Sequence, residues 1–274
     1  MSAPDGAAVL ATLTAVPGVR WSVCVRDAGG GVVLEHRPDD ELATASIGKL
    51  FLLLEVARRL ADGRLPADVP LHRHERLLVA DSGLWQHLAS DALLPADLAV
   101  LVGSVSDNLA TNALLEAVGP DAVAALTASL GVVRSGLHDY VRDVRGPQHP
   151  PALSTGCAGE LSAVLADLAA GRGPAADVAP TVLDWLATGT DLSMVAAAFG
   201  LDPLAHVGAD RGVRLVNKTG TNTTVRADVG VVDGPAGRLA WAVLANWDAG
   251  SDPRDAVLAA MAGLGAWLRA RVGG

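Results

Sequence analysis

The chain has 274 residues, of which half are hydrophobic and 3% aromatic, and its formal charge is −9. This length and composition suit one large domain or two subdomains with a substantial core built mainly from Leu, Val and Ala. The negative charge argues against nucleic acid or an anionic membrane as the main partner, and no stretch resembles a 20-residue membrane span.

The N-terminal segment predicts one helix followed by a β-hairpin. Helical spacing runs over residues 5–15 and stops at Pro17-Gly18, and alternating patterns then cover 19–27 and 31–37 with a turn between them. The first residues carry Asp5 and no basic region before the apolar stretch, so we expect no signal peptide and a cytoplasmic protein.

The middle of the chain predicts helices, and its end predicts strands. Gly and Pro residues separate the helical runs 46–62, 95–102, 107–118, 121–130, 159–171 and 180–188. Strand patterns return at 213–220, 225–232 and 238–247, and a final amphipathic helix covers 252–272.

These elements predict an α/β plus all-α fold. The strands of both termini would form one antiparallel sheet flanked by the terminal helices, with a helical subdomain inserted between them. We therefore expect a sheet subdomain of residues 1–43 and 204–274, and a helical subdomain of residues 44–203. An active site is expected in the cleft between the two.

The two lysines are the first chemical signal. Lys49 and Lys218 stand against 19 arginines. Arg cannot lose its proton in a protein, whereas Lys can do so once burial or a nearby cation lowers its pKa. Each lysine is therefore a candidate for a role that Arg cannot fill, although drift in an Arg-rich composition also explains their scarcity.

Lys49 belongs to an S-x-x-K motif at the start of an apolar, buried helix. Ser46 lies three residues before it, so the two side chains are one helical turn apart. Burial and the positive end of the helix dipole both lower the pKa of such a lysine, which could then activate the serine as a nucleophile. Alternatively, Ser46 caps the helix and Lys49 extends its ammonium group to solvent.

Two further motifs follow in order. Ser106-Asp107-Asn108 opens a predicted helix, and Lys218-Thr219-Gly220 lies near the end of a predicted strand. S-x-x-K, S-D-N and K-T-G in this order are the signature of class A β-lactamases and penicillin-binding proteins. The chain resembles that family over nearly its whole length, and both lysines fall within the signature.

The resemblance implies the catalytic roles. Ser46 would be the acylated nucleophile, and Lys49 its base or proton relay. Ser106 would pass the proton to the leaving nitrogen. Lys218 would bind the substrate carboxylate.

The resemblance also implies the binding residues. Asn108 would hold the substrate amide, and Thr219, within the K-T-G motif that Gly220 completes, would bind the carboxylate together with Lys218. The backbone N–H groups of Ser46 and Thr221 would form the oxyanion hole. Arg226 lies near the place of a second carboxylate-binding arginine, although its spacing from Lys218 is one residue short of the commonest arrangement.

One departure from the family concerns the residue that releases the acyl group. Class A enzymes carry a loop Glu that activates the deacylating water, yet no Glu occurs between Glu116 and Glu160. Matching the loop without gaps places Val141 at that position. Asp139, Asp143 and, less readily, His138 are the available substitutes, and the two aspartates could equally be ion-pair partners of loop arginines.

These features leave three functions open. The first is a serine hydrolase that forms an acyl-enzyme at Ser46 on β-lactams or a related cyclic amide or ester, with slow deacylation. The second is a different acyl hydrolase or acyltransferase of specialised metabolism, and the third is a degenerate, non-catalytic penicillin-binding protein. We expect the protein to be a monomer and its partner to be a small-molecule acyl donor. This chemistry needs neither a metal nor another cofactor.

Overall fold

The computed structural model describes residues 5–80 and 82–273, which contain eight α-helices. Their bounds are α1 Gly6–Thr14, α2 Lys49–Ala61, α3 Pro95–Val105, α4 Asn108–Val118, α5 Pro120–Ser129, α6 Ala158–Ala169, α7 Val178–Ala187 and α8 Arg254–Val272. Each lies within a few residues of a helix that the sequence predicts. No helix of the described ranges is long and apolar enough to cross a membrane.

The main sheet has five antiparallel strands. Its members are β1 Val19–Asp27, β2 Val32–His36, β8 Arg214–Asn222, β9 Val225–Gly234 and β10 Gly237–Trp247, in the order β2-β1-β10-β9-β8. Strands from the two ends of the chain meet where β1 pairs with β10. The predicted antiparallel sheet built from both termini is therefore confirmed.

Two hydrophobic clusters cover the two faces of this sheet. One contains the buried residues of α1 and α8 together with the 3₁₀ helix Val195–Phe199. The other joins the opposite face to the buried sides of α2 to α7. The strands are buried on both faces because helices cover each of them, which explains their nearly continuous apolar sequence.

Five strands of two or three residues were not predicted. They are β3 Leu42–Ala43, β4 Leu71–His72, β5 Ala92–Leu93, β6 Gly136–Leu137 and β7 Ser154–Gly156. Strands β3, β7 and β6 form one small sheet, and β4 pairs with β5. Such short strands have no sequence period of their own, because partners distant in the sequence define them.

The first predicted helix of the middle region begins differently from expected. Residues Ala45–Gly48 form a 3₁₀ turn, and the α-helix starts only at Lys49. Ala45 has a positive φ of 50°, which a non-glycine residue adopts only when its surroundings enforce it. The buried Ser154 supplies that restraint, because its Oγ donates to the carbonyl oxygen of Ala45 and its carbonyl oxygen accepts from the N–H of Thr44.

Candidate active site

A polar cavity of about 150 Å³ lies between the C-terminal end of α3, the start of α2 and the edge of β8. Among the described residues, seven that carry hydroxyl groups line it: Ser46, Ser82, Ser104, Ser106, Thr190, Thr219 and Thr221. Lys218 and Asp191 also line it. The cavity therefore brings together residues of all three sequence motifs.

Ser46 lies in the 3₁₀ turn that precedes α2, facing this cavity. Its hydroxyl group has no hydrogen-bond partner within residues 5–80 and 82–273. Ser46 is half-buried and reaches the cavity, while Ser154 holds the backbone just before it.

Strand β8 approaches the serine closely, and Gly220 makes this possible. A Cβ atom at Gly220 would lie 2.1 Å from the carbonyl oxygen of Thr44 and 3.2 Å from the backbone nitrogen of Ser46. Within the described residues β8 is an edge strand that pairs with β9 alone, so its outer edge can face a ligand. The glycine of K-T-G therefore sets the spacing between Ser46 and the strand that includes Thr221.

Lys49 is fully buried and makes three hydrogen bonds to the S-D-N segment. Its Nζ donates to the carbonyl oxygen of Ser106 at 2.7 Å, to Ser106 Oγ at 3.2 Å and to Asn108 Oδ1 at 2.8 Å. Burial, followed by the positive charge of Lys218, holds the pKa of Lys49 well below its usual range, although Asp107 acts in the opposite direction. The alternative of a solvent-reaching Lys49 is excluded by this burial.

The S-D-N segment lies between two helices rather than simply opening one. Ser106 ends α3 in a left-handed conformation with a φ of 57°, and Asp107 caps the N-terminus of α4. The buried carboxylate of Asp107 accepts from the backbone nitrogens of Leu84, Trp85 and Ala110 at 2.7–2.9 Å. Asp107 therefore ties the 82–85 loop to α4 and holds Ser106 against Lys49.

Lys218 is also buried, on the opposite side of the cavity from α3. Its Nζ donates to the carbonyl oxygen of Thr219 at 2.9 Å. Burial lowers the pKa of Lys218 to about 8, although the carboxylates of Asp191 and Asp228 oppose the shift. Its ammonium group is therefore the positive charge that this wall offers to a ligand near neutral pH.

Arg226 does not line the cavity. Its guanidinium group donates to the carbonyl oxygens of Asn222 and Val225 at 2.6 and 2.8 Å and lies over the ring of Trp247. Gly220 and Asn108 also lie outside the residues that line the cavity, although both contact the residues that do. The binding role expected for Arg226 remains a prediction.

The carboxylate of Asp139 is engaged by two arginines. It accepts from Arg142 and Arg145 at 2.7–3.0 Å and from the backbone nitrogen of Tyr140. These bonds lower the pKa of Asp139 although burial works against them. The geometry agrees with the ion-pair interpretation of this aspartate.

The other loop candidates also lie away from the cavity lining. The backbone of Val141 is bonded in both directions by the side-chain amide of Asn112, at 2.8 and 3.1 Å. Asp143 accepts from the backbone nitrogen of Ala80, and His138 contacts the hydroxyl of Thr155. Val141 and Asp143 instead line a second cavity, of about 360 Å³.

The sequence predicts no role for two residues of the site. Asp107 belongs to the S-D-N motif, but its bonds to the 82–85 loop depend on tertiary structure. Asp191 lies outside every motif, and nothing in the sequence distinguishes it from other surface aspartates. Within the described residues, no group of three or more His, Cys, Asp or Glu side chains could hold a metal ion.

Residues 7–268 match the model of the β-lactamase enzyme family. Because this match covers almost the entire chain, the protein belongs to that family, and its fold relatives indicate a serine hydrolase. No curated protein sequence matches the chain.

Solved structures share the complete fold. The β-lactamase of Sphaerobacter thermophilus is 25% identical, with a TM-score of 0.85 and 98% of each chain covered. An ancestral class A β-lactamase, GNCA, is also 25% identical, with a TM-score of 0.79, 96% of this chain and 98% of that one covered. PBP-A is 18% identical, has a TM-score of 0.80 over 96% of this chain and 93% of its own, and resembles this protein in fold alone.

Proposed function

We propose that this protein is a serine hydrolase that forms an acyl-enzyme at Ser46 and acts on β-lactams or a related cyclic amide or ester. The observation that carries the proposal is the buried lysine, Lys49, within hydrogen-bonding distance of Ser106 and with a lowered pKa. A buried lysine with these neighbours is suited to moving protons between two serines.

Acylation begins with attack of Ser46 Oγ on the carbonyl carbon, while Lys49 in its neutral form takes the serine proton. Nζ and Ser46 Oγ are not hydrogen-bonded to each other in the structure, so this step requires the two groups to come together when the substrate binds. In the ammonium form, Nζ donates its three protons in hydrogen bonds to the two oxygens of Ser106 and to Oδ1 of Asn108. Neutral Nζ has two protons and a lone pair, and Ser106 Oγ is the one of these acceptors that can also donate. The proton therefore passes from Lys49 to Ser106 and then to the leaving nitrogen or oxygen.

The edge of β8 binds the substrate. The backbone N–H groups of Ser46 and Thr221 stabilise the negative charge that develops on the carbonyl oxygen. Lys218 and Thr219 bind an anionic group on the leaving side, and Asn108 holds an amide on the acyl side. The short approach that Gly220 permits between β8 and Ser46 supports this arrangement.

Release of the acyl group is proposed to be slow. Deacylation requires a base that activates water, and the loop residues Asp139 and Asp143 are both engaged in other bonds and do not line the cavity. A glutamate-for-leucine variant of PBP-A has been solved as an acyl-enzyme complex with penicillin G, so an adduct of this kind is known on the same fold. Losing one positioned base lowers a rate by about 10²–10⁴.

A second candidate is acyl transfer from a smaller ester or amide. The cavity of about 150 Å³ favours it, because pockets for drug-sized ligands usually enclose about 300–1,000 Å³. The same nucleophile, base and oxyanion hole would serve either substrate.

Intact mass spectrometry with benzylpenicillin tests the proposal. We expect rapid addition of one penicilloyl group to the protein and slow return to the free mass. Ser46→Ala should abolish the adduct, whereas Ser251→Ala, at an exposed serine, should keep it.

Three other outcomes would separate the alternatives. Fast turnover with no persistent adduct would refute slow deacylation. An adduct on Ser46→Ala would refute the assignment of the nucleophile. If benzylpenicillin gives no adduct but a p-nitrophenyl ester is hydrolysed in a Ser46-dependent way, the smaller acyl donor is the substrate.

A further inference from the structure

Asp191 introduces a negative charge at the anion-binding side of the catalytic cavity. It lines the cavity together with Lys218, and it is the one acidic residue among the described residues that do so. A carboxylate at this place would weaken the binding of a purely anionic ligand, so its presence calls for a physical reason.

The segment that contains Asp191 is bonded to both sides of the cavity. Its carbonyl oxygen accepts from Asn217 Nδ2 at 3.2 Å, which ties it to β8 beside Lys218. The preceding residue, Thr190, donates its backbone N–H to the carbonyl oxygen of Ser104 at the end of α3. The segment therefore bridges both walls through hydrogen bonds within the protein.

The carboxylate of Asp191 is only partly used by the protein. Oδ1 accepts from the backbone nitrogen and the hydroxyl of Ser193, at 3.1 and 2.6 Å. In the described part of the chain, Oδ2 has no hydrogen-bond partner, and no basic side-chain nitrogen lies within 4.0 Å of the Asp191 carboxylate oxygens. Lys218 Nζ donates a hydrogen bond to the carbonyl oxygen of Thr219 and none to this carboxylate. Each of these two charges thus remains available to a ligand.

We propose that Asp191 selects substrates whose leaving side carries a cationic group close to the anionic group bound by Lys218. This inference rests on the proposed acylation at Ser46 and adds a substrate class to it. A ligand with both charges would meet a carboxylate and an ammonium group on one wall, whereas a ligand with only an anionic group would meet one attraction and one repulsion.

A pair of cephalosporins provides the test. Cephaloridine and cephalothin share the same 7-acyl side chain and the same carboxylate. Cephaloridine carries a pyridinium group beside that carboxylate, and cephalothin carries a neutral acetoxy group there. The measured quantity is the ratio of their second-order rate constants for acylation of Ser46. Because the ratio is taken within each protein, it does not depend on the folded fraction.

We expect Asp191→Asn to lower the cephaloridine-to-cephalothin ratio about five- to tenfold, since one partly exposed charge interaction is lost. Asp68→Asn, at an exposed aspartate outside the cavity, changes the net charge equally and should leave the ratio intact. Raising the salt concentration should reduce the preference of the parent protein and have little effect on Asp191→Asn.

The other outcomes overturn the inference in distinguishable ways. An unchanged ratio in Asp191→Asn, with a Ser46 adduct still formed, refutes the role of Asp191 and leaves the proposed function standing. An unchanged ratio with a persistent adduct that no longer decays would make Asp191 a general base instead. Absence of any adduct with both compounds would refute the proposed function and the inference together.

Discussion

Replacement of Lys49 by Arg keeps the positive charge and removes the proposed base. Nζ is fully buried and donates to three oxygens, so a larger guanidinium group must displace the groups that contact it. Overpacking of this kind costs about 1–3 kcal/mol of folding stability. A domain of ordinary stability remains folded after such a loss.

The expected loss of acylation is much larger than a packing effect. Arg cannot accept the proton of Ser46, and removal of a general base costs about 10²–10⁴ in rate, or about 3–5 kcal/mol in the activation free energy. We therefore expect benzylpenicillin to acylate Lys49→Arg at least about 100-fold more slowly than the parent protein, as is typical when a general base is lost.

Lys218→Arg is the matched control for Lys49→Arg. Lys218 is proposed to supply charge alone, so the substitution should retain acylation within about tenfold, the usual range for one altered charge contact. Stopped-flow mixing with mass detection gives both rates, and thermal unfolding shows whether each variant is folded. If folded Lys49→Arg acylates within a few-fold of the parent, Lys49 supplies only charge and its assignment as the base is wrong.

The remaining predictions concern the loop, the glycine of K-T-G and the pH dependence. Val141 itself lines the second cavity, but its backbone is bonded to Asn112, one helical turn from Asn108, so we predict that the longer side chain of Val141→Glu reaches the Ser46 adduct. Val141→Glu should then accelerate decay of the adduct by about 10²–10⁴, and Val141→Gln should not, because the amide is not a base. Equal decay in both variants would contradict a missing base at this position. Gly220→Ala places a Cβ 2.1 Å from the carbonyl oxygen of Thr44. It should lower the melting temperature, measured by calorimetry, and abolish adduct formation, measured by mass spectrometry. An unaltered acylation rate would show that the position of β8 does not determine the oxyanion hole. Because the pKa of Lys218 is lowered to about 8, its ammonium group loses its charge as the pH rises through that value. The apparent affinity for a carboxylate-bearing penicillin should therefore fall above about pH 8, whereas the affinity for a neutral ester should not. Lys218→Arg should abolish this fall, and a fall that persists in Lys218→Arg would belong to another group.

Much of the fold follows from local patterns in the sequence. The alternation in 19–27 and 238–247 and the helical spacing in 107–118 predict elements that the structure confirms with small shifts at their ends. These patterns are legible because burial of one face repeats every two or every 3.6 residues. The antiparallel sheet of both termini also follows, because strands occur only near the two ends.

The start of the first middle helix shows where local patterns fail. The sequence pattern predicts a helix from residue 46, yet the α-helix begins at Lys49 because Ala45 is held in a left-handed conformation. Ser154, more than a hundred residues later in the chain, enforces that conformation. No local propensity contains this restraint.

The residues of the site divide in the same way. The sequence predicts Ser46, Lys49, Ser106 and Lys218 as site residues, because their proposed chemistry requires particular residue types at particular spacings. It does not predict the neighbouring groups that modify this chemistry, because those groups contact the motif residues only in the folded chain.

Tertiary structure alone places the charges that surround these motif residues. Asp191 comes beside Lys218 because its segment is bonded to both α3 and β8, and Arg226 turns to the carbonyl oxygens of its own hairpin instead of to the cavity. Local sequence sets which groups a chain can use, since residue type decides acidity and bonding capacity. Which of these groups share a cavity depends on contacts between distant segments, and only packing of the complete chain decides those contacts.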